Sequence, residues 1–394
     1  MIFNFDISIP VAGLLVCCFV TALTAAMAGL RPMRKVARVG RRATSPERIE
    51  DEVLPSLSVI VYAKNAEEHI ESFLTELLRQ DYTEYEVIVV NDASIDNTSE
   101  IVENMMEKHG CLRYTFVPDS SINVSRRKAA YTLGMKAAKN EVVLMTASNV
   151  TIPSDRWLRI MAGKFTNPST EVCLGISRVP QDTDNGAGRF WRAFDNQVTA
   201  TQWLGTALAG KPYRGDGFNL ALRKDTFFNN NGFASTNRFQ AGEDDIFVNE
   251  IATPENTAIV MDNDAVPEVI LDSEQYARLW LRAKERYTFT SRYLHTAALR
   301  MQGLHSLCLW LSLGCAIYAA ISGLPNLLPA LTAMLIMIIL WGYQICVYRR
   351  ASAALASRRL LLSAPLFWLM RPLINGIYRM RFKANKSSNY TWSK

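Results

Sequence analysis

Long apolar runs lie near both ends of the chain, and the polar positions concentrate between them. No charged residue occurs in residues 7–30, and a run of that length exceeds the roughly 20 apolar residues that cross a bilayer. Two further apolar runs, 304–321 and 327–347, are separated by a turn-like segment that contains Gly323 and Pro325. The pattern predicts an N-terminal transmembrane anchor and a C-terminal transmembrane hairpin.

The charges around the first apolar run favour an anchor over a cleaved signal peptide. A signal peptide carries basic residues before a shorter apolar core, whereas Asp6 precedes this run and the basic residues follow it. The positive-inside rule places the side that carries these basic residues in the cytoplasm, and Arg349 and Arg350 after the hairpin agree. The basic residues crowd into twelve positions: Arg31, Arg34, Lys35, Arg38, Arg41 and Arg42.

Charge and cysteine content narrow the class of protein further. The net charge of +6 comes from 43 basic and 37 acidic residues, and the basic residues that flank the apolar runs suit anionic lipid headgroups better than nucleic acid. Seven cysteines, five of them in the predicted membrane helices, form neither a disulfide framework nor a metal-ligand spacing. Residues 360–380 mix large apolar side chains with Pro365, Arg371 and Pro372, which favours a helix in the membrane interface over a fourth span.

These patterns divide the chain into five predicted segments. They are a membrane anchor (1–30), a basic cytoplasmic linker (31–54), a globular α/β domain (55–300), a transmembrane hairpin (304–348) and a basic cytoplasmic tail with an interfacial helix (349–394).

The globular domain begins with alternating strand and helix patterns. Apolar strands at 58–62 and 85–90 enclose a helical pattern at 70–78, and a helix at 127–139 leads into a third strand at 141–145. Such units build a doubly wound sheet with parallel strands, in which ligands bind beyond the carboxyl ends of the strands. We therefore expect the loops that follow the first two strands, which contain Asn65 and Asp92, to converge.

Three polar groups are candidates for chemistry, and each has a structural alternative. Asp92 either contacts a ligand or caps the following turn. The basic cluster of Arg126, Arg127 and Lys128 either holds a diphosphate or decorates a solvated helix start. The adjacent carboxylates of residues 243–245 either create a general base, because their repulsion raises a pKa, or are ordinary acids in a first helical turn.

In order and spacing, these segments resemble glycosyltransferase family 2, which has the GT-A nucleotide-sugar-binding fold, and the resemblance implies a doubly wound mixed α/β sheet. The resemblance runs from about Leu57 to Leu294 and is greatest to membrane-attached bacterial members. It is carried by the segments SVIVYAKNAEEHI, EVIVVNDASIDNT, RKAAYTLGMKAAKNE, GDGFNLALRK and AGEDDIFVN.

The resemblance implies a role for each candidate residue. Asp244, flanked by Glu243 and Asp245, would be the general base that deprotonates an acceptor hydroxyl in a single displacement that inverts the anomeric carbon. Asp92 would contact the nucleotide base. The remaining donor-binding residues would be Ala63, Asn65, Lys128 and Asn149, and the acceptor or diphosphate would meet Asn219, Lys284 and Arg286.

Two segments depart from the family pattern. The family usually carries Asp-x-Asp after the third predicted strand to hold Mg²⁺ or Mn²⁺, but this chain has Ala147-Ser148-Asn149, where only Asn149 could donate an amide oxygen. Either basic residues then neutralise the diphosphate, or catalysis has been lost. In addition, Arg286 matches the arginine of the Gln-x-x-Arg-Trp of processive synthases, whereas Ala283 and Tyr287 do not match, which argues against a processive synthase.

The sequence leaves two hypotheses for the function. The first is an inverting, non-processive glycosyltransferase in the bacterial inner membrane that moves a sugar from a nucleotide-sugar donor to a lipid-linked or membrane-proximal acceptor in envelope glycan synthesis. The second is a catalytically silent homologue that acts as a nucleotide-binding or partner subunit of a polysaccharide assembly. A transporter is disfavoured, because three predicted spans without repeated halves offer little for a midplane site.

Overall fold

The computed structural model describes residues 7–42, 54–118, 125–180, 182–271, 273–294, 297–357, 360 and 363–384, and the chain divides into two compact units. The helical unit groups residues 1–41, 190–206 and 295–380, and the sheet unit groups 42–189, 207–294 and 381–394. Residues 190–206, which the sequence analysis assigned to the 55–300 domain, therefore belong with the apolar helices.

The helical unit is built from long helices with apolar surfaces. They are α1 (Ile9–Arg42), α6 (Arg189–Ala207), α10 (Ala297–Ser322), α11 (Leu328–Ala354) and α12 (Ser363–Ala384). Among the described residues, the three segments long and apolar enough to cross a membrane are Ile9–Gly40, Arg300–Ser322 and Leu328–Ala354. These segments overlap the three apolar runs of the sequence. Helix α12 covers the stretch predicted to lie in the membrane interface, and that location stays a prediction.

The interior of the helical unit is aromatic. The ring of Phe194 on α6 lies 5.6 Å from that of Tyr348, 5.4 Å from that of Phe367 and 5.5 Å from that of Trp368. Nearby, Arg371 of α12 donates from Nε to Oδ1 of Asp195 at 3.0 Å. Because a buried charge is costly unless it is paired, this ion pair explains how an arginine is accommodated inside an apolar bundle.

A mixed seven-stranded sheet forms the centre of the sheet unit, with the order β3-β2-β1-β4-β7-β6-β8. The pairs β3/β2, β2/β1, β1/β4 and β6/β8 are parallel, whereas β7 is antiparallel to β4 and β6. A separate antiparallel pair is formed by β5 (Val150–Thr151) and β9 (Glu268–Val269). The seven strands are β1 (Leu57–Ala63), β2 (Tyr85–Asn91), β3 (Leu112–Phe116), β4 (Val142–Ala147), β6 (Val172–Leu174), β7 (Leu220–Arg223) and β8 (Thr257–Ile259).

The helices of the sheet unit follow from amphipathic patterns. On α2 the buried residues Ile70, Phe73, Leu74 and Leu77 recur at helical spacing, and strand β1 is apolar on both faces because both faces are buried. The helices are α2 (Ile70–Leu77), α3 (Thr98–Met106), α4 (Arg126–Ala137), α5 (Trp157–Gly163), α7 (Lys224–Asn229), α8 (Ile246–Ile251) and α9 (Ser273–Thr290).

The sheet is the mixed α/β sheet that the sequence predicted, with one strand more than the sequence analysis assigned to its first half. The additional strand is β3 (Leu112–Phe116), which comes before β4 in the chain and lies at the edge of the sheet. The strand predicted as the third is therefore β4. Three residues of β3, Arg113 to Thr115, are only half-buried and Phe116 is exposed, so its pattern lacks the continuous apolar run of a central strand.

Candidate active site

The loops that leave β1 and β2 meet at the carboxyl edge of the sheet, as the sequence predicted. The backbone N–H of Asp92 donates to the carbonyl of Ala63 at 2.8 Å, and that of Asn65 donates to Oγ of Ser94 at 2.9 Å. Asn65 also accepts from the N–H of Ile95 through its side-chain oxygen, at 3.0 Å. Asn65 takes a left-handed backbone conformation with φ of +47°, which asparagine tolerates better than most residues.

Asp92 is the centre of a buried hydrogen-bond cluster at this edge. Its Oδ2 accepts from the hydroxyl of Tyr62 at 2.6 Å and from Nζ of Lys64 at 3.1 Å, while Arg126 donates from Nε to Oδ1. Burial alone would raise the pKa of Asp92, but the hydrogen bonds from Tyr62, Arg126 and Lys64 hold this pKa below its ordinary value. Asp92 is therefore a fixed carboxylate beside two cations.

A second cluster brings together the adjacent carboxylates that precede α8. Arg286 on α9 donates from Nη2 to Oδ2 of Asp244 at 2.6 Å and from Nη1 to Oε1 of Glu243 at 3.3 Å. Both carboxylates are buried, with side-chain exposures of 7% and 3%. The neighbouring Asp245 has a different role, because its Oδ1 accepts from the N–H of Ile246 at the start of α8.

The electrostatics separate these adjacent acids. Burial would raise the pKa of Asp244, but Arg286, Arg214 and Arg127 lower it below the ordinary value. Burial and the charge of Asp244 raise the pKa of Asp245 to about 6. At neutral pH, Asp244 is therefore the firmly ionised member of the pair.

Arg127 of α4 lies between the two clusters. Its guanidinium carbon is 5.1 Å from the ring centre of Tyr62 and 5.2 Å from that of Phe218, and Nη1 is 4.0 Å from Oε1 of Glu243. Since Tyr62 also donates to Asp92, a continuous set of contacts connects Asp92 with Glu243. The two clusters form one site.

Several buried atoms of this site have no hydrogen-bond partner among the described residues. Two are acceptors, Oδ1 of Asp244 and Oε2 of Glu243, and three are donors, Nε of Arg127 and Nε and Nη1 of Arg214. A buried polar atom without a partner costs about 1–3 kcal/mol. Donors and acceptors left open in the same place indicate a ligand that carries both anionic oxygens and hydroxyl groups.

Residues 58–233 match the family model described as glycosyl transferase family 2, and this match covers β1 to β7 and the Asp92 cluster. This segment is a glycosyltransferase family 2 domain. The resemblance stated from the sequence motifs is thereby confirmed over these residues, whereas the motif that contains Glu243 and Asp244 lies beyond the matched segment.

Known relatives and solved structures agree with this assignment. A poly-β-1,6-N-acetyl-D-glucosamine synthase of Staphylococcus epidermidis is 28% identical over 131 residues, which are 33% of this chain and 30% of that protein. An uncharacterized glycosyltransferase of Bacillus subtilis is 30% identical over 130 residues, 33% of this chain and 36% of that one. The chain thus spans about a third of the length of these curated relatives.

A solved structure matches almost the whole chain. It is a mannosyltransferase of Pyrobaculum calidifontis in complex with GDP-Man and Mn²⁺, with a TM-score of 0.56 and 17% identity over 92% of this chain and 99% of that one. At this identity the match shows the fold alone, and the fold is GT-A.

Lys128 and Asn219, which the sequence analysis assigned to ligand contacts, make hydrogen bonds within the protein. The ammonium of Lys128 is buried and donates to the carbonyls of Thr236 at 2.7 Å and Phe239 at 3.1 Å, and burial lowers its pKa to about 8. The buried amide of Asn219 accepts from Nε1 of Trp157 at 3.1 Å and donates to the carbonyls of Ile176 and Ala265. Both polar groups are already engaged by the protein, which favours structural roles, and their assignment to ligand contacts stays a prediction.

Asn149 and Lys284 are the remaining residues that the sequence analysis assigned to the donor and the diphosphate. Asn149 is exposed in the bend between β4 and β5, where its carbonyl accepts from Ile270 at 2.9 Å. Nζ of Lys284 lies 5.8 Å from the ring centre of Trp280, on the same helix. Their assignment to the donor and the diphosphate stays a prediction.

The donor groups around Asn149 do not fit a divalent cation. Ala147 offers no side-chain ligand, Ser148 is buried and Asn149 offers a neutral amide, whereas Mg²⁺ and Mn²⁺ favour carboxylates. The carboxylates of Glu243 and Asp244 are already paired with Arg286. Among the described residues, no group of three or more His, Cys, Asp or Glu side chains is arranged to hold a metal ion.

Arg214 and Tyr131 also belong to the site, although the sequence motifs did not point to them. The guanidinium of Arg214 lies 4.6 Å from the ring centre of Tyr287, and the hydroxyl of Tyr131 donates to the carbonyl of Gly217 at 3.0 Å. The two glycines of the segment Arg214-Gly215-Asp216-Gly217 are the sequence feature that could have indicated a close approach of this loop to another group. A Cβ on Gly217 would lie 3.4 Å from Oδ2 of Asp244, so this loop passes directly beside the carboxylate.

Proposed function

We propose that this chain is an inverting, non-processive glycosyltransferase that transfers a sugar from a nucleotide-sugar donor to a lipid-linked or membrane-proximal acceptor in envelope glycan synthesis. The observation that carries the proposal is the carboxylate of Asp244, which has one oxygen held by Arg286 and the other buried without a partner. This arrangement suits a general base that waits for a substrate hydroxyl.

The chemistry assigned to Asp244 follows from its two oxygens. Oδ2 is fixed by Arg286, so the orientation of the carboxylate is set before the acceptor arrives. Oδ1 then accepts a hydrogen bond from the acceptor hydroxyl and takes its proton as the oxygen attacks the anomeric carbon. Because the attack displaces the nucleoside diphosphate directly, one step inverts the anomeric centre.

The donor side of the proposal rests on Asp92. In a GT-A fold the nucleotide occupies the carboxyl edge of the parallel strands, where Asp92 and the loop of Ala63 and Asn65 converge. A fixed carboxylate accepts hydrogen bonds from N–H groups of a nucleobase. The solved structure of similar fold contains GDP-Man, which supports a nucleotide-sugar donor as a class.

The acceptor side rests on the apolar helices. Three helices long and apolar enough to cross a bilayer, flanked by basic residues, support an enzyme of the bacterial inner membrane with its sheet unit on the cytoplasmic side. The relative from Staphylococcus epidermidis bears the name of a polysaccharide synthase, which supports an envelope glycan as the product class. Tyr287 and Ala283 replace the tryptophan and glutamine of processive enzymes, which supports transfer of single sugars.

One observation favours a second candidate, a catalytically silent subunit that retains nucleotide binding. Ala147-Ser148-Asn149 replaces the acidic motif of the family, and a domain that lost its metal site could serve as a binding partner. Against it stands Oδ1 of Asp244, because a buried acceptor without a partner among the described residues suits a carboxylate that receives a substrate hydroxyl.

Transfer of a labelled sugar tests the proposal. The full chain in detergent is incubated with bacterial membrane lipids and with radiolabelled UDP-glucose, UDP-GlcNAc or GDP-mannose in turn, and label is counted in the lipid fraction. We expect incorporation from one donor, lost in Asp244→Asn and retained in Asp225→Asn, which alters an exposed carboxylate on α7. Nucleotide binding without any transfer would support the silent subunit instead.

A further inference from the structure

We propose that Arg127 and Arg214 neutralise the diphosphate of the donor in place of a divalent cation, so that this domain binds nucleoside diphosphates without metal. The inference rests on the proposed function, since it concerns the donor of that same site. It departs from the metal-bound arrangement that the family pattern implies.

The site and a divalent cation do not match. The position of the acidic motif carries one neutral amide, Asn149, and the carboxylates of Glu243 and Asp244 are both paired with Arg286. A cation that approached Glu243 or Asp244 would meet the positive charge of Arg286 and would have to displace it.

The two arginines also carry buried donors without partners. Nε of Arg127 and both Nε and Nη1 of Arg214 are buried without a hydrogen-bond partner among the described residues. Guanidinium N–H groups match phosphate oxygens in charge and geometry, and such charge-assisted hydrogen bonds are stronger than neutral ones. An anionic ligand with several oxygens satisfies these donors, whereas a metal ion cannot.

Arg127 lies between the two ends of the site. In a nucleotide sugar the diphosphate joins the nucleoside to the sugar. If Asp92 holds the nucleoside and Asp244 faces the sugar and acceptor, the diphosphate passes between them. The guanidinium in that place is Arg127, which lies over Tyr62 on the Asp92 side and 4.0 Å from Glu243 on the other.

The orientation of Arg214 is also prepared in advance. Its guanidinium carbon lies 4.6 Å from the ring centre of Tyr287, and a cation over an aromatic face is attracted to it. Tyr287 stands where processive synthases of the family have tryptophan. We infer that in this chain the aromatic residue positions an arginine toward the diphosphate.

Calorimetric titration of the detergent-solubilised full chain tests the inference. UDP, GDP and UMP are titrated in EDTA and again with Mn²⁺, for the unaltered protein and for Arg214→Met, Arg214→Lys and Arg79→Met. We expect at least one diphosphate to bind with an affinity that EDTA leaves unchanged. We also expect Arg214→Met to weaken the binding of this diphosphate about 10- to 100-fold and that of UMP less. Arg214→Lys should recover part of the lost affinity.

Arg79→Met is the matched control, because Arg79 is exposed at the end of α2 and its loss removes the same charge. A diphosphate affinity at least tenfold lower in EDTA than with Mn²⁺ would overturn the inference, and so would an affinity that Arg214→Met leaves unchanged. Either result leaves the proposed function standing. Absence of binding to UDP and GDP under both conditions overturns the inference and the donor site together.

A reciprocal variant keeps the inference testable if Arg214→Met unfolds. Ala147→Asp combined with Asn149→Asp restores the acidic motif, and we expect Mn²⁺ to increase diphosphate affinity in this double variant only. An equal increase in the unaltered protein would show that a metal site already exists and would overturn the inference.

Discussion

Arg286 donates a hydrogen bond of 2.6 Å to one oxygen of Asp244, and the other oxygen of Asp244 is buried without a partner among the described residues. The pair joins α9 to the segment before α8 and holds the carboxylate in one orientation. Its free oxygen is the place where the proposed acceptor hydroxyl binds. The predictions below follow from this pair and from the Asp92 cluster.

Asp92→Asn should weaken UDP or GDP binding about tenfold or more. The change keeps the size of the side chain but removes the charge that Lys64 and Arg126 balance and that a nucleobase would meet. Calorimetric titration measures the effect, with Asp81→Asn as a control at an exposed carboxylate. Equal affinity in Asp92→Asn and the unaltered protein would contradict the assignment of Asp92 to the donor.

Lys128→Met should lower the melting temperature and leave nucleotide affinity unchanged. The ammonium of Lys128 satisfies two backbone carbonyls, and leaving them unpaired costs about 1–3 kcal/mol. Thermal unfolding in detergent is compared with that of Lys136→Met, an exposed lysine on the same helix. A normal melting temperature with lost nucleotide binding would restore the ligand role that the sequence suggested.

Gly134→Ala should destabilise the sheet unit. An added Cβ would lie 2.5 Å from Cγ2 of Ile60, so α4 would have to move away from β1, at a cost of about 1–3 kcal/mol. Gly110→Ala is the control, because a Cβ there meets no atom within 4 Å. If both variants melt at the same temperature, the close packing of α4 on the sheet is wrong.

Asp245→Asn should stabilise the protein more at pH 8 than at pH 4. The pKa of Asp245 is raised from 3.8 to about 6. The contribution of the protonated carboxyl to the free energy of unfolding is therefore complete below pH 3.8 and is lost as the pH rises through about 6. Asparagine still caps α8 but carries no charge, so the variant avoids this loss of stability above pH 6. The effect is measured as the difference in melting temperature between Asp245→Asn and the unaltered protein from pH 4 to pH 8, with Asp225→Asn as the control. A difference that does not change with pH would contradict the raised pKa.

Much of the fold follows from local patterns, because β1, β2 and α2 carry clear apolar periods. The position of Asp92 also follows, since parallel strands present their carboxyl ends at one edge. The roles of Arg127 and Lys128 could not be separated in this way. Successive residues of a helix point about 100° apart, so Arg127 faces the site while Lys128 turns inward to the loop at Thr236.

Loops explain the remaining misses. Arg214 lies in a segment whose apolar residues follow neither a helical nor a strand period. Its approach to Asp244 therefore depends on the path of the chain through Gly215 and Gly217. Asn219 stands at the end of that same loop, where its amide is enclosed by the carbonyls of Ile176 and Ala265. Neither contact follows from spacing along the sequence.

The most direct test of the central claim compares sugar transfer and nucleotide binding in Asp244→Asn. If Asp244 is the general base, the transfer rate should fall about 10²- to 10⁴-fold while UDP or GDP affinity stays that of the unaltered protein. A transfer rate close to that of the unaltered protein would contradict the account, because the base would then lie elsewhere.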